Sequence, residues 1–157
     1  MKQLYFDLDG VLRDLCKSTL IDPTEWNCFI DGLNFTAYFT AHIDLLWKAP
    51  PTEYLTAINA LELDVHILST QPDTWKDITL SWVKKNIPRV KTVQFANNKI
   101  SLLEQGDILV EDSPNLDDYS QVIVVDKPYN KHIPFSHVRV YSPIELIYNI
   151  YKFRSLP

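Results

Sequence analysis

Short apolar runs alternate with longer amphipathic stretches along this chain, and the alternation predicts its secondary structure. A short, mostly apolar run between polar residues is typical of a strand that is buried on both faces of a sheet. Asp, Ser or Asn follows most of these runs, and open α/β sheets place their sites at such strand ends. The predicted strands cover residues 4–8, 65–68, 93–95, 108–110 and 122–125.

Between the predicted strands, apolar residues recur at the spacing of amphipathic helices. The first such pattern follows Pro50-Pro51, the second ends before Pro88, and the third begins at a capping box in residues 142–145. Strands that alternate with helices predict an α/β fold with a mostly parallel sheet and helices on both faces. The helical stripes are formed by Tyr54, Leu55, Ile58 and Leu61, by Trp75, Ile78 and Trp82, and by Ile144, Ile147, Tyr148 and Tyr151.

One stretch interrupts this rhythm. More than fifty residues separate the first predicted strand from the second, which is too many for a simple crossover. Residues 14–48 are therefore predicted to form a small helical insert, or cap, over the end of the sheet. Residues 1–13 and 49–157 then form the core domain.

Composition and charge exclude several classes of protein. With 157 residues, 46% of them hydrophobic and 22% charged, the chain is typical of a globular domain. Its net charge of −5 argues against stable nucleic-acid or anionic-membrane binding, and its apolar runs are too short to span a bilayer. The first acid, Asp7, comes too early for a signal peptide, and Cys16 and Cys28 match no zinc or redox spacing. We expect a cytoplasmic protein with reduced thiols.

The first predicted strand carries the clearest chemical signal. Asp7 and Asp9 are two residues apart, so in a strand their side chains face the same way. Two like charges are costly to bury together unless a cation joins them, and Mg²⁺ prefers such oxygen ligands. Gly10 permits a tight turn beside them. A solvated turn after a strand is the alternative interpretation.

Three further signals lie at predicted strand ends or loops. The Ser69 and Thr70 hydroxyls could donate to a phosphate oxygen, although hydroxyls also cap helices. Lys99 could neutralise a phosphoryl group, although a lone lysine in such a position is most often an ordinary surface residue. Of Glu111 and Asp112, one would face the metal and the other would brace it, although acids are also common at helix N-termini.

Taken in order along the chain, these signals resemble the four motifs of the haloacid dehalogenase-like phosphatase superfamily. The resemblance covers nearly the whole chain and implies a Rossmann-like core with a cap inserted after the first strand. Asp7 and Asp9 match the first motif, Ser69 the second, Lys99 the third, and Glu111 with Asp112 the fourth.

Within that superfamily, the chain is most similar to the 5′(3′)-deoxyribonucleotidase family. Residues 127–131 and 139–140 carry this narrower resemblance, since they have no evident meaning for general phosphatase chemistry; residues 7–12, 67–70, 81–83, 98–99 and 106–109 agree with it. The chain departs from the family in the order of Ser69-Thr70, in having Glu111 for an Asp, in Arg13 for a small residue, and in its shorter insert.

The resemblance implies a magnesium-dependent phosphomonoesterase. Asp7 would attack phosphorus to form an aspartyl-phosphate. Asp9 would protonate the leaving alcohol and then activate water. Ser69, Thr70 and Lys99 would hold the phosphate. Mg²⁺ would be held by Asp7, the Asp9 backbone carbonyl and Asp112, with Glu111 assisting.

The substrate implied by the resemblance is a nucleoside monophosphate, which aromatic residues of the insert could stack against. We expect most of these aromatics to form the insert's own core and choose Phe29 and Trp47 as those that face the site. Arg13 could reach a phosphate or sugar, or could pair with Asp14 or an acid of the cap. A homodimer is also expected from such relatives. The alternatives are a polynucleotide 3′-phosphatase, another small-molecule phosphatase, a phosphomutase and a non-catalytic nucleotide-binding module.

Overall fold

The computed structural model describes residues 2–19, 24–116, 122–132 and 137–155. Its strands are β1 (Leu4–Phe6), β2 (Phe29–Ile30), β3 (Leu33–Asn34), β4 (Val65–Ser69), β5 (Val90–Phe95), β6 (Ile108–Glu111), β7 (Val122–Val125) and β8 (Val138–Val140). Its helices are α1 (Leu15–Thr19), α2 (Phe35–Ala41), α3 (Asp44–Lys48), α4 (Glu53–Ala60), α5 (Lys76–Asn86) and α6 (Pro143–Ser155). Single 3₁₀ turns cover Asp73–Trp75, Ile100–Leu102 and Pro128–Asn130.

Six strands form one parallel sheet in the order β5-β4-β1-β6-β7-β8. The central strand β1 pairs with β4 on one side and with β6 on the other, in a register that places Phe6 beside Ile67 and Val110. Every residue of β6 and β7 is buried, as their continuous apolar runs predict. The predicted α/β fold is confirmed.

Four strand boundaries and one strand differ from the prediction. Strand β1 ends at Phe6 rather than at residue 8, and β5 begins at Val90 rather than at residue 93. Strands β4 and β6 each extend one residue further than predicted, to Ser69 and Glu111. Strand β8 was not predicted, because its three residues include the charged Arg139 and lie at the edge of the sheet. An edge strand needs no continuous apolar run, so its sequence carries little signal.

The main hydrophobic core lies between one face of the sheet and helices α4, α5 and α6. Ile58 of α4 and Trp82 of α5 are fully buried there against Phe6 and Ile67. Residues of the opposite face, such as Tyr5 and Leu109, pack against the segment that contains the 3₁₀ turn Ile100–Leu102. Alternate residues of each strand thus serve the two cores.

Helix α6 buries a different face from the predicted one. Three members of the predicted stripe are exposed, since Ile144, Tyr148 and Tyr151 are 82%, 66% and 51% accessible. The helix instead buries Leu146 and Ile150 against α4 and β8. The helix carries apolar residues on two sides, and its packing against these elements decided which side was covered.

The described residues of the predicted insert, 14–19 and 24–48, contain three short helices, α1, α2 and α3, and one hairpin. The insert was predicted as mostly helical, whereas the structure adds the antiparallel pair β2–β3. Asp31 and Gly32 connect the two strands with φ angles of 50° and 79°. A two-residue Asp-Gly loop with positive φ at both positions favours a tight hairpin, so this element was readable from the sequence.

The insert has a small core of its own and is tied to the main domain. Ile30, Phe39 and Leu46 are buried together, and Trp75 of the main domain packs into the same cluster. The two segments that connect the insert to the main domain lie side by side, as a hydrogen bond from the Asp14 amide to Pro50 O at 2.9 Å shows. The boundaries at residues 13/14 and 48/49 stay a prediction.

Within the described residues, no helix has the length and apolar character needed to cross a lipid bilayer.

Replacing Ile58 by alanine should destabilise the fold by about 2–5 kcal/mol, because the cavity it leaves lies in the main core. Ile144→Ala is the matched control. This isoleucine is exposed on α6, so its loss should change the free energy of unfolding by less than about 0.5 kcal/mol. Urea denaturation followed by circular dichroism measures both. Equal effects of the two substitutions would contradict this packing.

Candidate active site

The carboxyl ends of the central strands meet at one edge of the sheet and carry the predicted site residues. Asp7 follows β1, Ser69 ends β4, and Glu111 ends β6 with Asp112 directly after it. Between this edge and the insert lies a cavity of about 1040 Å³ that all four residues line. Asp9, Thr70 and Lys99 line the same cavity.

Three buried carboxylates form the centre of the site. Asp7, Glu111 and Asp112 each offer an oxygen, and these atoms lie within 4.8 Å of one another. Burial, followed by the charge of Glu111, raises the pKa of Asp7 to about 7 although Lys99 opposes the shift. Burial also raises the pKa of Asp112, and the charges of Asp7 and Glu111 add to that effect. The raised pKa values of Asp7 and Asp112 indicate that the positive charge of Lys99 does not offset the burial of these two carboxylates.

The donor set fits a small divalent cation. Asp112 Oδ1 is buried and has no hydrogen-bond partner among the described residues. Buried polar atoms are almost always satisfied, so an unpartnered carboxylate oxygen in an acidic cluster has the surroundings expected of a cation ligand. Carboxylate oxygens are the ligands that Mg²⁺ and Ca²⁺ take in proteins. These three acids could hold such an ion; a contribution from the Asp9 backbone carbonyl stays a prediction.

Lys99 joins two of the three acids. Its Nζ donates to Asp7 Oδ1 at 2.7 Å and to Glu111 Oε2 at 2.6 Å. Burial acts to lower the pKa of Lys99, but the two carboxylates outweigh it and raise the pKa. The other Glu111 oxygen, Oε1, accepts from the Asp112 and Ser113 amides at 3.0 and 3.1 Å. Glu111 thus braces the loop that carries Asp112, which is one of the roles predicted for it.

The Asp9 carboxylate is held by a buried arginine. Arg13 Nε donates to Asp9 Oδ1 at 2.6 Å, and Arg13 Nη2 donates to Oδ2 at 3.0 Å. Gln71 Nε2 adds a bond of 2.6 Å to Oδ2, and Gln71 itself accepts from Thr79. The Asp9 side chain remains 20% exposed at the cavity.

The prediction that Arg13 contacts a phosphate or sugar is corrected by its position. Arg13 is fully buried and does not line the cavity, and its ion-pair partner is Asp9 rather than Asp14 or an acid of the cap. The turn after β1 folds residue 13 back onto residue 9, since the Leu12 and Arg13 amides both donate to Leu8 O. An acid and an arginine four residues apart are a known pairing signal in helical turns.

The two aromatic residues predicted to face the site lie elsewhere. Phe29 is 76% exposed on the hairpin, because alternation in β2 turns Ile30 inward instead. Trp47 is half-exposed beneath Lys85, whose Nζ lies 4.6 Å from its ring centroid. Neither lines the cavity. Among the described residues, the aromatic ones that do are Trp26, Phe35, Trp75 and Tyr129.

The hydroxyl pair after β4 is divided between two environments. Ser69 is buried at the cavity wall. Thr70 is exposed, and its hydroxyl donates to Ala96 O at 2.7 Å.

Cys16 and Cys28 also line the cavity as free thiols, and burial raises the pKa of Cys16 to about 12.

Tyr129 is the site residue that sequence reasoning missed. Its hydroxyl donates to Asp112 Oδ2, and its ring lies 5.3 Å from that of Trp26, centroid to centroid. Burial, followed by the charge of Asp112, raises the pKa of Tyr129, so the phenol stays a hydrogen-bond donor. Residues 127–131 were singled out only for their family resemblance, and that was the available signal.

Comparisons with known proteins identify the fold and nothing narrower. No family profile matches the chain, and no curated protein matches it either. Among solved structures, it is similar to the crystal structure of a candidate beta-phosphoglucomutase from Thermotoga maritima, with a TM-score of 0.57 and 11% identity. The match covers 99% of this chain and 100% of that one. It confirms the predicted α/β fold with a mostly parallel sheet flanked by helices.

Replacing Arg13 by methionine should lower the free energy of unfolding by about 3 kcal/mol, because it leaves the Asp9 carboxylate without its buried partner. Arg89→Met is the control. Arg89 pairs with Asp64 at the surface, where such an ion pair contributes less than about 1 kcal/mol. Urea titration of both variants measures the difference. If Arg13→Met cost no more than Arg89→Met, the buried ion pair would not support the fold.

Proposed function

We propose that this chain is a magnesium-dependent phosphomonoesterase that hydrolyses nucleoside monophosphates. One observation carries the proposal. Three carboxylates at the ends of β1 and β6 share a buried cluster with Lys99, which lies after β5. One oxygen of Asp112 has no hydrogen-bond partner within the described chain. Phosphoryl transfer depends on positioned charge around the phosphate, and this cluster supplies both an acidic metal-binding set and a cation.

Asp7 is the proposed nucleophile. Its attack forms a bond from a carboxylate oxygen to phosphorus and breaks the bond from phosphorus to the leaving alcohol, which gives an aspartyl-phosphate. Lys99 lies 2.7 Å from Asp7 Oδ1 and offsets the negative charge of the incoming phosphate. Ser69 and Thr70 line the same cavity and are proposed to donate to phosphoryl oxygens.

Asp9 is the proposed acid and base. It gives a proton to the departing alkoxide and then takes one from the water that attacks the aspartyl-phosphate, which releases phosphate and restores Asp7. Its ion pair with Arg13 holds the carboxylate at the cavity wall. The orientation of Asp9 therefore depends on a residue that never touches the substrate.

The proposed metal ligands are Asp7, Asp112 and the Asp9 backbone carbonyl, with Glu111 assisting. When bound, Mg²⁺ supplies positive charge that offsets the charges of the phosphate and the nucleophile. The pKa of Asp7 is raised to about 7, and a bound cation would favour its ionised form.

A ring-bearing leaving group fits the rest of the cavity. Trp26, Phe35, Trp75 and Tyr129 line it, and any nucleobase can stack on an aromatic face. The cavity volume of about 1040 Å³ accommodates a nucleotide-sized ligand. The resemblance to deoxyribonucleotidases at residues 127–131 points the same way. The net charge of −5 disfavours a polynucleotide substrate.

A phosphomutase is the second candidate, because the structural neighbour is named as a candidate beta-phosphoglucomutase. A mutase needs a further site for anionic groups, and Lys17 and Lys127 line the cavity besides Lys99. Phosphorus NMR of the products distinguishes the two functions, because a hydrolase releases inorganic phosphate from a sugar phosphate whereas a mutase returns an isomeric ester.

Asp7→Asn should abolish steady-state release of p-nitrophenol from p-nitrophenyl phosphate while the fold remains intact. The amide oxygen is too weak a nucleophile to form the phospho-enzyme. EDTA should stop the wild-type reaction and added MgCl₂ should restore it. Asp44→Asn, at a surface carboxylate paired with Lys48, is the control and should keep wild-type turnover. Undiminished hydrolysis by Asp7→Asn would exclude Asp7 as the nucleophile.

Trp26→Ala should lower kcat/KM for a deoxynucleoside monophosphate by about tenfold or more, since base stacking contributes roughly 1–3 kcal/mol. Its activity on glycerol 2-phosphate, which has no ring, should be kept. Trp47→Ala is the matched control, because Trp47 does not line the cavity. The substrates are a panel of 5′- and 3′-deoxyribonucleotides and ribonucleotides together with a 3′-phosphorylated oligonucleotide. Preference for the oligonucleotide would overturn the mononucleotide assignment.

A further inference from the structure

The two carboxylate oxygens of Asp112 have different surroundings. Oδ2 accepts a hydrogen bond from the Tyr129 hydroxyl. Oδ1 is buried and has no hydrogen-bond partner within the described part of the chain. Asp112 itself is 1% exposed, so bulk water does not supply Oδ1 with a hydrogen-bond partner in place of the protein. One oxygen therefore accepts a hydrogen bond from the protein, and the other has no such partner among the described residues.

The position of the Tyr129 hydroxyl is set by a buried asparagine beside it. Asn130 Nδ2 donates to Asp112 O at 2.8 Å and to Val125 O at 2.9 Å. Asn130 Oδ1 accepts from Arg139 Nη1 at 2.7 Å. This 3₁₀ turn is thus tied to the end of β7, to β8 and to the backbone of Asp112, so Tyr129 and Asp112 are held in a common frame.

The absence of a side chain at Gly10 provides the space that Asp112 and Tyr129 occupy. A Cβ at this position would meet Asp112 Oδ2, and it would lie 2.8 Å from Asp112 Cγ and 2.9 Å from the Tyr129 hydroxyl oxygen. The backbone of the first motif therefore packs directly against the hydrogen-bonded pair. Little space remains for the Asp112 carboxylate to rotate and to present both oxygens to one side.

We propose that Tyr129 restricts Asp112 to a single metal-binding oxygen and thereby makes the site select Mg²⁺ over Ca²⁺. Mg²⁺ requires near-ideal octahedral geometry at about 2.0–2.1 Å, with one or two carboxylates among its ligands. Ca²⁺ takes six to eight oxygens at about 2.3–2.6 Å and readily accepts both oxygens of one carboxylate. A carboxylate with one oxygen held elsewhere suits the smaller ion. This inference rests on the proposed metal site.

The test is calorimetric titration of the EDTA-treated, dialysed protein with MgCl₂ and with CaCl₂. Tyr129→Phe removes only the hydroxyl, because the ring that packs 5.3 Å from Trp26 is kept. Loss of a group that orients a metal ligand costs about tenfold or more in affinity, so the Kd for Mg²⁺ should rise by that factor. The Kd for Ca²⁺ should stay constant or fall, since Asp112 regains its second oxygen.

The ratio of the two dissociation constants decides the matter. A ratio that is unchanged in Tyr129→Phe, whether both affinities hold or both fall equally, would overturn the inference. Tyr54→Phe, at a buried tyrosine of α4, is the control and should leave both constants unchanged. Tyr129→Met also lacks the hydroxyl and should show the same shift; it replaces Tyr129→Phe if the latter melts at a markedly lower temperature.

Asp112→Asn separates failure of this inference from failure of the proposed function. If the wild-type protein binds Mg²⁺ and Asp112→Asn does not, the metal site stands and the Tyr129 result alone decides selectivity. If the wild-type protein binds neither ion, the metal site and the inference are both wrong. The same holds if Asp112→Asn binds both ions as tightly as the wild-type protein does.

Discussion

Mutual repulsion among Asp7, Glu111 and Asp112 governs the organisation of this protein. Their oxygens lie within 4.8 Å of one another at the edge of a parallel sheet, where almost no water reaches them. Buried like charges are costly, and each acid is retained only with a partner of its own. Lys99 bridges Asp7 and Glu111, backbone amides hold the second Glu111 oxygen, and Tyr129 holds one oxygen of Asp112. What these partners leave uncompensated is the charge that a divalent cation would supply.

A second layer of residues holds the acids without reaching the cavity. Arg13 and Gln71 fix Asp9 from beneath, and Arg13 also donates to Leu46 O of the insert at 3.4 Å. Asn130 and Arg139 play the corresponding part for the loop that carries Tyr129. The two networks come from opposite halves of the sheet. The site is therefore preorganised by buried polar contacts, which are strong because few solvent molecules compete with them.

The insert contributes the other wall of the cavity. Its own small core, built on Phe39 and Leu46, docks through Trp75 onto the main domain. Trp26 extends from it to lie against Tyr129 of the core. The cavity thus forms where two chain segments meet, and the same tyrosine lines it and donates a hydrogen bond to the acidic cluster. A change at Tyr129 would consequently affect both the aromatic lining and the acidic cluster.

Local pattern was sufficient for five of the six strands of the sheet and for the acidic positions beside them. Apolar runs that end in polar residues predicted β1, β4, β5, β6 and β7, and two acids at the end of the first run predicted Asp7 and Asp9. These signals come from neighbouring residues, although β1 itself ends at Phe6, before both acids. The signal for the hairpin also lies in neighbouring residues, Asp31 and Gly32, although the helical prediction for the insert overlooked it. Contacts between distant segments were not accessible in this way. Which aromatics face the cavity and what Tyr129 touches depend on how side chains pack after the chain has folded, and no spacing along the sequence encodes the direction that they then take.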